Sequence, residues 1–261
     1  MELKAKMIGG LAVLFITSQN SPIWAQDNYP ACIFLPTQSG VVKQITKENN
    51  VILTNGQRLT LANIKVAHGI NKQELNHSLK GKKITYFSSG QKTDRHNRFI
   101  SHIFTSRNGQ QKWLQADLIR RGLATVFATA HNKRCFTTLL GMEQKARKEK
   151  QGEWKNDKSL RLYEATDVET LNQHPQGNFV IVKGQIHSIG RSSNNTYINF
   201  DKNWRSDFTI VIASRLLKRK TLSWPHLKAL VGKQVIARGW LDHWNGPMIR
   251  IEIPEMLQVI D

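Results

Sequence analysis

The sequence predicts an α+β chain of two mostly β units, and three observations carry that reading. Strand patterns come first and helices follow, with no βαβ alternation. A polar stretch containing Pro175 and Gly177 then interrupts the periodicity, and beyond it nearly every periodic segment is again a strand. At 261 residues, 39% hydrophobic and 22% charged, with seven Trp and ten Phe, the chain can fill one large core or two small ones, which excludes a disordered protein.

In chain order, Lys4 and Lys6 precede an apolar run from Met7 to Ile16, and a polar stretch ends in Ile23-Trp24-Ala25. That is the order of a secretory signal peptide cleaved after Ala25. The apolar run is far shorter than the ~18 residues a membrane span needs, which disfavours an uncleaved anchor. The expectation is an exported protein, periplasmic or extracellular, with no transmembrane segment in its mature chain. Cys32 and Cys135 are the only cysteines. In an oxidising compartment they predict one disulfide, worth roughly 4–5 kcal/mol in the chain-entropy account, with two buried thiols as the alternative.

Strand patterns fall at 39–45, 50–55, 58–66, 82–89 and 98–106. Asn55-Gly56 between alternating apolar residues predicts a type I′ hairpin. A short helix is predicted over 71–81, ended by Gly81. A second is predicted through "QKWLQADLIRRGLATVF" (111–127), with Leu114, Leu118 and Ile119 on one face and Gly122 as its C-terminal cap. A third runs through 136–154 on Leu139, Leu140, Met142 and Ala146; its outer Lys145, Arg147, Lys148 and Lys150 read as a solvated face. Residues 156–178 are predicted to be a linker. Five strands follow, at 179–189, 196–200, 207–213, 233–241 and 247–253. A helix over 224–232 and a turn at Asn245-Gly246 complete a second unit of OB-barrel type over 179–261.

The charge is lopsided. Without the leader the chain carries +18; residues 26–160 hold 23 Lys and Arg against 9 Asp and Glu, and residues 161–261 hold 13 against 9. Such an excess points the first unit at a polyanion: nucleic acid, anionic lipid or polysaccharide.

Four stretches, Asp94 to Arg98, Gly122-Leu123-Ala124, Glu143 to Arg147 and Gly152 to Trp154, stand in the order of the motifs D-x-x-G-R, G-L-A, E-x-x-A-R and G-x-W. Through them the first unit, 26–155, resembles the thermonuclease, or staphylococcal-nuclease-like, family. The second unit is similar to a C-terminal OB-like extension found on some exported bacterial members. The resemblance implies an OB-type barrel with about three helices. It also implies a calcium-dependent phosphodiesterase, in which a glutamate acts on the attacking water and two arginines neutralise the transition state.

The site residues do not follow. Where the family reads D-G-D-T, this chain reads Thr46-Lys47-Glu48-Asn49-Asn50. In the next motif Ala62 takes the place of the first arginine, Ala67 of the aspartate, His68 of the threonine and Ile70 of the glutamate. Arg98 is the one retained catalytic position, with Asn97 replacing the turn glycine. Glu48 and His68 are the candidate substitutes, Glu48 also as a metal oxygen. His77, His96 and His102 show no metal-binding spacing. No cofactor is expected unless a rebuilt site holds calcium. The candidate polyanion contacts are Lys82, Lys83, Lys92, Arg95, Arg98, Arg120 and Arg121. Trp204, Trp224, Trp240 and Trp244 are candidate stacking platforms, with core packing expected for most.

Three functions fit. The first is an eroded nuclease-like protein that binds nucleic acid or another polyanion without cutting it. The second is an active metal-dependent phosphodiesterase with a rebuilt site. The third is a structural envelope protein held on anionic lipid or polysaccharide.

Overall fold

The computed structural model describes residues 38–67, 72–88, 93–107, 110–127, 135–155, 160–218 and 224–260. The predicted signal peptide, Cys32, His68, Ile70 and Lys92 lie outside the described residues.

The first barrel is built from β1 (Gln38–Ile45), β2 (Val51–Leu53), β3 (Arg58–Leu61), β5 (Lys83–Ser88) and β6 (Phe99–Arg107). β1 pairs with β2 and β5, β2 with β3, and β5 with β6; a parallel β3–β6 pairing closes the ring. Alternation drives the closure, because Val42, Val51, Leu53, Leu59, Ile84, Tyr86 and Ile103 all point into one buried core. α1 (Lys72–Leu79) stands between β4 (Ile64–Val66) and β5, and ends at Gly81 with φ 76°.

The expected third strand, 58–66, is broken. Asn63 adopts φ 60°, so the chain kinks after β3, and β4 leaves the barrel to pair with β8 (Ala124–Val126). The expected helix over 111–127 is likewise three elements: β7 (Gln110–Trp113), α2 (Leu114–Arg120) and β8. Leu114, Leu118 and Ile119 are its buried face, and Gly122 ends it at φ 65°. The opening hairpin is not type I′. Only Gly56 has positive φ, the Gly56 amide donates to the Leu53 carbonyl, and the Asn55 side chain accepts from the Gln57 amide. Three loop residues, Thr54 to Gly56, therefore form a type I turn closed by a glycine bulge, the arrangement a three-residue loop favours.

α3 (Phe136–Lys148) packs on α2, and a 3-10 turn at Gly152–Trp154 brings the chain back beneath it. Here the Glu153 amide donates to the Gly122 carbonyl. A Cβ on Gly122 would lie 2.0 Å from the Gln151 carbonyl oxygen, and one on Gly152 would lie 2.2 Å from that of Arg121. Two backbones touch where any side chain would separate them.

Residues 160–178 are not a plain connector. β9 (Leu162–Glu164) pairs in parallel with β10 (Phe179–Gln185), and α4 (Val168–Gln173) is capped by the Asp167 side chain accepting from the Thr170 amide. The second barrel then uses β10, β11 (Ser188–Arg191), β12 (Asn195–Asn199), β13 (Thr209–Ala213), β14 (Gln234–His243) and β15 (Pro247–Ile251). β10 and β11 are two halves of one bent strand separated by Ile186 and His187. With β10 on β14 and β11 on β12, the ring closes through the chain itself. β13 and β15 are the parallel pair, and α5 (Trp224–Lys228) stands between the third and fourth strands. The two barrels thus share one strand order, which is the OB arrangement. β16 (Leu257–Ile260), not predicted, adds to the outer edge of β14. No helix among the described residues is long and apolar enough to cross a membrane.

The barrels meet across a packed seam. Arg238 of β14 and Glu143 of α3 are both fully buried there, with Nη1 3.0 Å from Oε2. Phe127, Phe179 and Trp240 stack edge to face at 5.4–5.7 Å. The Lys65 ammonium lies 4.3 Å from the Trp240 ring centroid, and burial lowers its pKa.

Candidate functional site

In the first barrel the residues around Arg98 form a closed polar unit. Asn97, at φ 55°, turns the chain so that Asp94 and Arg98 face each other. The Arg98 Nε and Nη2 donate to Asp94 Oδ2 at 2.8 and 2.6 Å, while Asp94 Oδ1 accepts from the His96 and Arg98 amides at 2.9 and 3.1 Å. Arg98 Nη1 donates to Asn50 Oδ1 at 3.0 Å. Burial pushes the Asp94 carboxyl up, but the hydrogen bonds and charge of Arg98, with the His96 amide, outweigh it and hold the group below its usual value.

Asn50 arrives from the β1–β2 turn, where the family's metal-binding carboxylates would stand. That turn is held by Asn49 at φ 59° and by the Thr46 hydroxyl accepting from the Asn50 amide. Asn50 is buried and neutral; it orients Arg98 without adding charge. Glu48, in the same turn, is exposed.

Ala62 and Ala67, aligned with the first arginine and the aspartate, are both buried. The Ala62 amide donates to the Ser101 carbonyl, and Ala67 packs with Ala146, Trp154, Ile181 and Ile236 at the seam between the barrels. Calcium takes six to eight oxygens. Asp94 has committed both of its oxygens, and no group of three or more His, Cys, Asp or Glu among the described residues could hold a metal ion. Among the described residues the donor set does not fit that ion.

The histidines do not converge. His77 is exposed on α1, His96 is exposed in the 94–98 turn, and His102 is buried in β6, edge-on to Trp113 at 5.4 Å. Nor do the candidate cations form one patch. Arg95 and Arg98 sit where the chain enters β6. Lys82 and Lys83 open β5, whose six residues separate them from that end of the barrel by about 17 Å. Arg120 and Arg121 close α2, with Arg121 3.6 Å from Asp117. Cys135 is fully buried at the start of α3.

Two residues escaped the sequence reading. Asn50 lies 48 positions from Arg98, so only the closed barrel brings them together. Glu143 was visible as a motif residue but not as a buried acceptor. Its Oε2 takes hydrogen bonds from the Thr125 hydroxyl at 2.8 Å, the Val126 amide at 2.5 Å and Arg238. In the second barrel the tryptophans correct the expectation of core packing. Trp204, Trp240 and Trp244 are 56, 44 and 76% exposed, and Trp224 is half-buried.

Together, the fold and the Asp94–Arg98 turn define a tandem OB-barrel protein whose first barrel carries a helical cap of nuclease type. The family model for staphylococcal nuclease homologues matches residues 63–156, and this part of the chain is a staphylococcal nuclease homologue domain. No curated protein matches the chain.

Proposed function

We propose that this is an exported protein whose nuclease-like barrel has been kept for binding nucleic acid, or another polyanion, without cutting it. The observation that carries this reading is the pair Ala62 and Ala67, two buried methyl groups at positions where the chemistry needs a cation and a metal-binding carboxylate. Arg98, engaged by Asp94 and Asn50, keeps part of its fork for a phosphate but has no second arginine to share the charge of a transition state. The positive excess supplies sequence-independent attraction to phosphates, which weakens steeply with salt.

The test uses mature protein, residues 26–261, with single-stranded and plasmid DNA in calcium, magnesium or chelator, beside Arg98→Ala. Retarded DNA at low salt and no cutting above the mutant background are expected. Metal-dependent cutting that the mutant abolishes would establish the phosphodiesterase instead. Sedimentation with anionic liposomes or lipopolysaccharide, undisturbed by competing DNA, would establish the envelope reading.

Export and the Cys32–Cys135 bridge belong to the same proposal, supported by the leader-like N-terminus and by the burial of Cys135. Protein denatured without reductant is expected to release no titratable thiol, and two after reduction; two thiols before reduction would remove the bridge.

A further inference from the structure

At one end of the second barrel, the end of β11, the turn after β13 and the start of α5 enclose a cleft of about 460 Å³. Its lining is Arg191, Ser214, Arg215, Leu217 and Trp224. The Arg191 guanidinium and the Lys228 ammonium each lie 5.5 Å from the centroid of the Trp224 ring. Arg191, Arg215 and Lys228 are exposed, and none of the three is paired with a carboxylate among the described residues. Three unanswered cations around a concavity make a site for an anion.

The adjoining sheet face says which anion. Thr196 and Ile198 of β12 point inward, so Asn195, Tyr197 and Asn199 point outward. Tyr197 sits opposite Val211, which sits opposite Arg250. Arg250 reaches back to Asn195, with Nη1 3.4 Å from Oδ1. Arg191 sits opposite Thr196, so the cationic cleft with its aromatic wall lies on the inward side of the sheet's end and the aromatic and cationic face on its outward side; a strand passing round the 192–194 turn meets the first and then the second. Phosphates alternating with flat rings match that sequence of groups, and a cleft of this size admits one splayed nucleotide but not a duplex.

We propose that this end of the second barrel binds single-stranded nucleic acid, with a phosphate held by Arg191, Arg215 and Lys228 and neighbouring nucleotides on the Tyr197–Arg250 face. The proposal rests on the preceding reading only for the class of ligand; it names a separate site, away from the nuclease-like barrel.

The test measures fluorescence anisotropy of a labelled thymidine oligomer and of a labelled hairpin duplex with the mature chain and with Arg191→Ala/Arg215→Ala, an exposed pair whose loss leaves the melting curve unchanged. The variant is expected to bind the single strand about tenfold or more weakly, with its logarithmic salt slope reduced by about 0.7 for the one phosphate lost, and to bind the duplex as the parent does. An abasic oligomer is expected to bind the parent less well than the thymidine oligomer. If abasic and thymidine oligomers compete equally, the cleft reads phosphate alone and the strand proposal falls. If the parent binds both nucleic acids and the variant matches it, the cleft is not a site, while nucleic-acid binding by the first barrel stands. If the parent binds neither, both readings fall.

Discussion

At the scale of single residues, the proposed loss of a nuclease-like site rests on two kinds of departure from the family's motifs. Ala62 and Ala67 need no hydration and pack into the interior, so the change to them removes charge and adds core. Asn50 keeps a polar contact to Arg98 but not the charge. Arg98 was legible because its motif is local: Asp94, Asn97 and Arg98 lie within five residues and form one turn. Its other partner was not, because a pattern read along the chain cannot show that residue 50 closes on residue 98. The Asp94 carboxyl is held below its usual value, so its contribution to stability is fully present above the unfolded value of about 3.9 and is lost as pH falls through the folded one. Asp94→Asn is expected to cost about 1–2 kcal/mol at pH 7 and to flatten the decline in stability below pH 4. Chemical denaturation of both proteins from pH 2.5 to 7 measures this; parallel curves would show that the pair contributes nothing.

At the scale of elements, what the sequence shows depends on whether the signal is local. Helix α1 was legible from its terminating glycine, α2 from its periodicity and its glycine, and α3 from its periodicity, although α3 stops at Lys148 and the rest of the stretch expected to 154 holds a separate 3-10 turn. The break between β3 and β4 leaves one trace in "RLTLANIKV", where the apolar alternation changes phase from Leu59 and Leu61 to Ala62, Ile64 and Val66; the kink itself lies in one residue, Asn63, whose left-handed conformation is an option and not a rule for asparagine. Asn55-Gly56 misled in the same way: its composition permits a type I′ turn, but the loop has three residues and uses the glycine alone. β9 and α4 were hidden in a polar segment, since each is short, no residue of β9 is buried, and Leu171 is the sole buried residue of that helix. The exposed tryptophans invert the usual prior. Residue type predicts burial on average, but Trp204 and Trp244 sit on loops at one end of the second barrel, where Gly246 approaches the Asp207 backbone and leaves no interior for them.

At the scale of the whole molecule, the same strand order is used twice without a detectable sequence repeat, because an OB barrel constrains only the inward alternation and the pairing order. The two barrels are joined by the seam at Arg238. Its guanidinium donates to both oxygens of Glu143, to the Val126 carbonyl at 3.2 Å and to Gln258 at 3.1 Å. Burial lowers the pKa of Arg147, Glu143 raises it, and Arg238 lowers it again, so one buried carboxylate is shared by two cations. Removing one partner leaves the other charged and dry. Arg238→Ala is expected to destabilise the protein by about 3–5 kcal/mol in urea denaturation, because Glu143 loses its cation from the second barrel. Arg238→Met with Glu143→Leu removes the under-compensated carboxylate but strands the Thr125 hydroxyl and the Val126 amide, each at about 1–3 kcal/mol, and takes from Arg147 its carboxylate, so the double change recovers only part of the loss. Tryptophan fluorescence and far-ultraviolet circular dichroism should follow one transition in the parent and two in Arg238→Ala, since losing the buried ion pair uncouples the two barrels. A stability within 1 kcal/mol of the parent, with coincident transitions, would mean that the apolar packing around Ala67, Trp154 and Ile181 joins the barrels without the ion pair.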